Sequence, residues 1–136
     1  MSWSHFPHEA DIGLRGNGID KESAFEAIAL ALTAVITDPD RVTARDSISI
    51  ACQAPSDEIL LVDWLNALIF EMSVRKMLFR EFDVTITDGN LTARVRGEKV
   101  RRDKHYPAVE VKGATFTALA VDETDSGWSV QCVVDV

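Results

Sequence analysis

The sequence is poor in the residues that build staples, membrane spans and the common active-site motifs. It holds two cysteines in 136 residues, Cys52 and Cys132, far apart and each within an apolar alternating stretch. That spacing excludes both the dense disulfide framework of a small secreted domain and the C-x-x-C pairs of zinc and redox sites, so buried free thiols are expected. No apolar run approaches the roughly 20 residues that cross a bilayer, and Met1-Ser2-Trp3-Ser4-His5 has neither the basic start nor the apolar stretch of a signal peptide. A cytoplasmic protein without a membrane role is expected. Positive charge is scarce as well: 14 Lys and Arg against 22 Asp and Glu leave a net charge of −8. Such a surface repels nucleic-acid backbone and argues against general RNA or DNA binding. No nucleophile elbow, phosphate-cradling glycine loop or H-E-x-x-H helix occurs, and only three histidines are available for acid–base work. Independent catalysis has little support.

What is present is a good core. The chain is 46% apolar, enough for one continuous interior without metal or disulfide staples, and one domain over residues 1–136 is expected. Ser2 to Phe6 alternates weakly and reads as a strand. Pro7, Gly13, Gly16 and Gly18 then suggest a long irregular connection to Asp20. Asp20 stands at an N-cap, and Phe25, Ile28, Ala29, Leu32, Val35 and Ile36 recur at helical spacing, so Lys21 to about Thr37 is a predicted helix, stopped by Asp38-Pro39-Asp40. Val42 to Gln53 alternates as a half-buried strand. Ser56 or Asp57 caps a second helix whose stripe is Leu61, Leu65, Leu68, Ile69 and Met72, widened by Leu60 and Trp64. Phe82, Val84 and Ile86 face Leu91, Ala93 and Val95 across Asp88-Gly89-Asn90, a hairpin. Two further strands are expected at Val109 to Val121 and Trp128 to Val134, separated by the polar stretch from Asp122 to Gly127. Strand, helix, strand, helix and four strands is not the alternation of a doubly wound sheet. The fold class is therefore α+β, two helices packed on a mainly antiparallel multi-stranded sheet. Trp3, Trp64 and Trp128 are assigned to the core or its rim.

Two aspartates stand out. Asp11 lies among apolar neighbours in a glycine-bearing segment, where it either braces the loop through amide hydrogen bonds or coordinates a cation. Asp135 falls on the polar face of the last strand, one residue before the chain ends, so its carboxylate and the oxygens of Val136 can converge. Oxygen donors of this kind suit calcium, magnesium or manganese.

Six short motifs follow one another in order: His8-Glu9-Ala10-Asp11, Thr37-Asp38, Leu60-Leu61-Val62-Asp63-Trp64-Leu65-Asn66, Gly97-Glu98, Glu110-Val111-Lys112-Gly113-Ala114 and Asp135-Val136. Together they resemble the archease family, activators of the RtcB-type RNA ligase. The resemblance implies an archease-like fold and an accessory protein that promotes ligase guanylylation and multiple turnover in tRNA splicing and RNA repair, with RNA met only through the ligase. It implies a divalent-cation site, seen with calcium in the family, at Asp11, Asp135 and Val136. Lys112 matches the family's functional lysine, and His8, Asp38 and Glu98 are expected to surround or assist the site. Two positions depart from the pattern: Glu9 replaces the usual threonine and Gly113 the usual alanine.

Arg94, Arg96, Lys99, Arg101, Arg102 and Lys104 concentrate positive charge in one stretch, and Arg101, Arg102 and Lys104 are candidates for contact with the ligase or its RNA. Two other functions fit the same residues: a metal-dependent phosphoester hydrolase using Asp11, Glu98 and Asp135, and a chaperone-like binding module for RNA-modifying enzymes.

Overall fold

The computed structural model describes the whole chain, Met1–Val136. The first helix, α1, runs Lys21–Ile36, and its capping box is complete: Asp20 Oδ1 accepts the Ser23 amide at 2.8 Å and Ser23 Oγ accepts the Asp20 amide at 3.2 Å. These bonds hold the Asp20 carboxyl below its ordinary value, the Ser23 side-chain bond contributing most. The second helix, α2, runs Asp57–Arg75, capped by Ser56, whose Oγ accepts the Ile59 amide at 3.3 Å. It ends at Lys76, which takes the left-handed C-terminal conformation at φ +56°.

The strands are β1 (Ser2–His8), β2 (Asp11–Gly18), β3 (Asp46–Gln53), β4 (Met77–Thr87), β5 (Asn90–Lys99), β6 (Gly113–Ala114), β7 (Ala120–Thr124) and β8 (Gly127–Asp135). Every pairing is antiparallel, and the strands divide into two sheets. The larger has the order β1-β2-β8-β6, with β7 also pairing with β8; the smaller is β3-β5-β4. Helix α1 touches β1, β2 and β8 of the large sheet and β4 of the small one, while α2 touches β3, β4 and β5 on one side and β6 and β7 on the other. A cluster of 32 buried apolar residues runs through these contacts, with Phe25, Trp64 and Phe79 fully enclosed. The Trp64 indole N–H donates to the Phe25 carbonyl at 3.0 Å, so its burial leaves no polar atom unpaired. No helix is long and apolar enough to cross a membrane.

The α+β architecture and both helices agree with the expectation, but several boundaries differ. Residues 11–18 form a central strand instead of a long connection, because glycine here serves close approach and not a turn. A Cβ at Gly13 would lie 2.2 Å from the Phe6 ring, and one at Gly16 2.5 Å from the backbone of α1 at Ala24 and Ile28. Pro7 is tolerated because β1 is an edge strand. The strand expected over residues 109–121 survives only as β6 and the start of β7, and Asp122, Glu123 and Thr124 pair with β8 instead of separating two strands. A single helical turn, α3 (Arg102–His105), follows β5.

Helix α1 also closes the outer edge of β4. Thr33 Oγ1 donates to the Phe79 carbonyl at 2.7 Å, and Glu26 Oε2 accepts the Val84 amide at 2.8 Å. Desolvation raises the Glu26 carboxyl above its usual value despite that bond.

Candidate functional site

Register brings the sequence-predicted residues to one end of the large sheet. His8 opposes Asp11 across β1 and β2, which a two-residue turn, Glu9-Ala10, connects. Ile12 opposes Val134 across β2 and β8, so Asp11 and Asp135 are the next pair in that register. Asp135 in turn opposes Gly113 of β6, and the Lys112 amide donates to the Asp135 carbonyl at 2.9 Å. Opposed residues of antiparallel strands project to the same face with Cα atoms about 4.5–5.5 Å apart. His8, Asp11 and Asp135 therefore share one face. It is the face carrying Arg15 and Gln131, which bond each other at 3.0 Å, and it is opposite to the Leu14 and Cys132 face that packs on the helices.

Asp11 and Val136 are half-buried and Asp135 is exposed. Neither Asp11 nor Asp135 takes part in any of the chain's ion pairs. The Asp11 and Asp135 carboxylates at the ends of neighbouring strands thus lack an internal cation, and their oxygen donors fit a hard divalent ion. Lys112 is exposed, and its ammonium forms no ion pair, so it is not committed to the carboxylates. Glu9 occupies a turn position at φ +56°, a left-handed conformation that an ordinary side chain takes at some cost. Gly113 has room for the family's alanine: an added Cβ would meet only Asn66 Oδ1, at 3.6 Å.

Asn66 is the residue whose role the sequence did not reveal. Its Oδ1 accepts the Ala114 amide at 2.9 Å and so ties α2 to the short strand that flanks Asp135. The signal was its place in the Leu60 to Asn66 motif, but nothing in the spacing named its partner.

Glu98 and Asp38 are not part of this edge. Glu98 is 5% exposed, and its Oε2 accepts Lys104 Nζ at 2.6 Å, the Thr43 amide at 2.9 Å and His105 Nε2 at 2.9 Å. Burial alone would raise its pKa; Lys104, the Thr43 amide and His105 outweigh it and hold the carboxyl at about 2. His105 Nδ1 accepts the Arg101 amide at 2.9 Å, which assigns the ring proton to Nε2 facing Glu98. Asp38 accepts the Asp40 amide at 3.0 Å and caps the 3-10 turn Pro39–Arg41. No group of three or more His, Cys, Asp or Glu side chains gathers anywhere in the chain. The three-carboxylate hydrolase centre of Asp11, Glu98 and Asp135 is therefore not formed: Glu98 lies away from the other two, its Oε2 held by Lys104, Thr43 and His105.

Of the three candidates Arg101, Arg102 and Lys104, Lys104 is held by Glu98 and by Thr43 Oγ1 at 2.8 Å, and Arg101 pairs with Asp103 at 3.2 Å, leaving Arg102 without an ion pair. Both thiols are free; desolvation raises Cys52 and pushes Cys132 up to about 11, so neither is a nucleophile at neutral pH. A hollow of about 460 Å³ lies away from the acidic edge on the small sheet, beside Ser49, Asp83 and Arg94.

The chain matches the Archease protein family (MTH1598/TM1083) over residues 3–136. Proteins named archease from Pyrococcus abyssi and Pyrococcus furiosus are 34% and 36% identical to it over 139 aligned residues, covering 98% of both chains in each case. The solution structure of protein 1598 of Methanobacterium thermoautotrophicum superposes with a TM-score of 0.81 at 26% identity, covering 99% of each chain. A Thermotoga maritima crystal structure described as an archease and possible chaperone shares the fold, with a TM-score of 0.61 at 15% identity over 96% of this chain and 94% of that one.

Proposed function

The chain belongs to the archease protein family, and on that footing we propose that it is an accessory protein that activates an RtcB-type RNA ligase. The ligase joins RNA ends, and this protein promotes its guanylylation and repeated turnover. The observation that carries the reading is the acidic row at the end of the large sheet, where Asp11 and Asp135 are adjacent in register with no internal cation to neutralise them. An enzyme acting alone would more often enclose its substrate in a concave pocket. This edge is instead a strand end, suited to being presented to another protein.

Asp11, Asp135 and the Val136 carboxylate would hold a divalent cation, calcium or else magnesium or manganese, which supplies a local positive charge for phosphate or carboxylate groups of the partner. Asp11 and Asp135 orient donors from two neighbouring strands. The Lys112 amide bond to Asp135 fixes the last residues, and its free ammonium is available to an anionic group on the ligase or its nucleotide. A chaperone-like module remains the second reading, favoured by the description of the Thermotoga structure.

Multiple-turnover ligation with the cognate ligase separates the two. Asp11→Asn and Asp135→Asn are expected to abolish stimulation while retaining the wild-type melting temperature, since each removes one charge at a strand end without opening a cavity. Full stimulation by both variants would overturn the proposal, and stimulation that required equimolar protein at every turnover would favour the chaperone reading.

A further inference from the structure

One solvent-facing aromatic ring is carried on a residue that ends α3 in the left-handed conformation. Tyr106, the only tyrosine of the chain, is 64% exposed and held at φ +45°. A left-handed conformation disfavours any residue with a Cβ and is rare for a bulky one. Four bonds over-determine it: the Tyr106 amide donates to the Arg102 carbonyl at 3.2 Å, Thr37 Oγ1 donates to the His105 carbonyl, and the His105 ring is fixed by one bond to Arg101 and one to Glu98. Strain maintained in this way, with the side chain left in solvent, points to a use for the side chain.

The surroundings indicate the ligand. The Arg41 guanidinium lies 5.2 Å from the Tyr106 ring centre. Beside them is an open hollow of about 380 Å³, floored by Val35 and Ile36 at the end of α1, with Asp38 on its rim. The segment 41–45 is bound across residues 97–104, through Arg45 to Gly97 and Thr43 to Glu98 and Lys104. Arg41 lines the hollow itself, and the bonds between the two segments bring the chain at Arg45 and at Arg101 and Arg102 into its neighbourhood. Arg41, Arg45 and Arg102 form no ion pair, and Arg101 pairs only with its exposed neighbour Asp103. In a chain of net charge −8 this is a local positive patch around a solvent-facing aromatic ring and an apolar floor.

We propose that this hollow binds one unpaired nucleotide of single-stranded RNA, its base stacked on Tyr106 over Val35 and Ile36 and its phosphates met by Arg41, Arg45 and Arg102. Asp38 repels phosphate and so sets the direction, with the base edge on the Asp38 side and the backbone on the arginine side. Stacking on an aromatic ring tolerates every base, and the arginines track the chain. The site goes beyond the activator reading: it gives this chain an RNA contact that needs no ligase, centred on Tyr106 and Arg41, which the sequence did not single out.

The test is fluorescence anisotropy of a labelled single-stranded RNA octamer with the full chain at low ionic strength, without ligase. Tyr106→Gly should weaken binding by about five-fold or more, the loss expected for one stacked base. The same variant should keep or raise the melting temperature, because glycine accepts φ +45° without strain; a merely structural Tyr106 would lower it. Tyr106→Phe should bind as wild type, Arg41→Gln should weaken binding, and Arg94→Gln, on the small sheet, should not. Unlabelled octamer should compete far better than a free nucleoside monophosphate. The proposal is overturned if no RNA is bound, or if Tyr106→Gly binds as wild type. It is equally overturned if Tyr106→Gly leaves RNA binding intact but raises the dose needed for ligase activation, which would make the patch a protein contact. None of these results depends on Asp11 or Asp135.

Discussion

The side-chain oxygen of Asn66 in α2 accepts the amide of Ala114 in β6 at 2.9 Å, and this one bond fixes the short strand that borders Asp135. β6 has only two residues and a pairing partner on one side, so a side chain from the helix layer serves as its second anchor. Asn66→Ala is expected to cost about 1 kcal/mol of stability, the worth of one partly solvated hydrogen bond. Ligase stimulation should fall further than that loss explains, since Lys112 and the chain end lose their shared support. Asn66→Asp, which keeps an acceptor, should restore most of it; equal stimulation by the alanine variant would show that β6 is held without Asn66.

Extending the chain past Val136 tests whether the terminal carboxylate is a ligand. A short polar C-terminal extension converts that carboxylate to a neutral amide, so calcium affinity measured by calorimetry should drop while the melting temperature in the absence of calcium is unchanged. Unaltered affinity would restrict the donors to Asp11 and Asp135.

Glu98 makes stability depend on acid. Its folded pKa of about 2 lies below the ordinary value of 4.5, so its contribution is complete above the unfolded value and is lost as pH falls from about 4.5 toward 2. Denaturant titrations across that window should show stability falling, and Glu98→Gln should flatten this part of the profile. At neutral pH the same substitution should cost about 3 kcal/mol, because Lys104 and His105 are left beside a group that no longer carries charge. Lys104→Gln should be destabilising too, whereas Arg102→Gln, which breaks no pair, should not.

Two glycines should respond in opposite directions. Gly13→Ala forces a Cβ into the Phe6 ring at 2.2 Å, a clash expected to cost about 1–3 kcal/mol in thermal or denaturant unfolding. Gly113→Ala meets nothing closer than 3.6 Å and has no positive φ, so it should be neutral or stabilise by about 0.4–1 kcal/mol through the unfolded chain.

The contrast between these glycines also explains what was legible beforehand. Helices α1 and α2 and the Asp88-Gly89 hairpin declare themselves locally, through Asp20, Ser56 and apolar spacing, and the turn has positive φ at both central residues, as a tight hairpin turn requires. β2 was hidden because Gly13 and Gly16 answer to Phe6 and α1, partners that lie elsewhere in the chain. Asp11 and Asp135 were identifiable as unusual carboxylates, but their adjacency is a property of strand register between the two ends of the sequence. Glu98 and Lys104 looked like members of a functional motif and a basic arm; the fold pairs them with each other. That pairing depends on α3 and the segment at Thr43, neither of which has a periodic signature.

The bonds from Thr33 and Glu26 to β4 have a consequence for association. An edge strand normally invites a neighbour, and β4 has had that invitation withdrawn at Phe79 and Val84 by its own helix. A neighbour cannot add to β4 at these two positions without displacing α1, and the Val84 amide, although on a sheet margin, should exchange its hydrogen more slowly than an open edge amide. Because desolvation raises the Glu26 carboxyl, acid neutralises this half of the guard at a higher pH than it would an ordinary glutamate, and the Val84 amide should then exchange faster while the Thr33 bond remains.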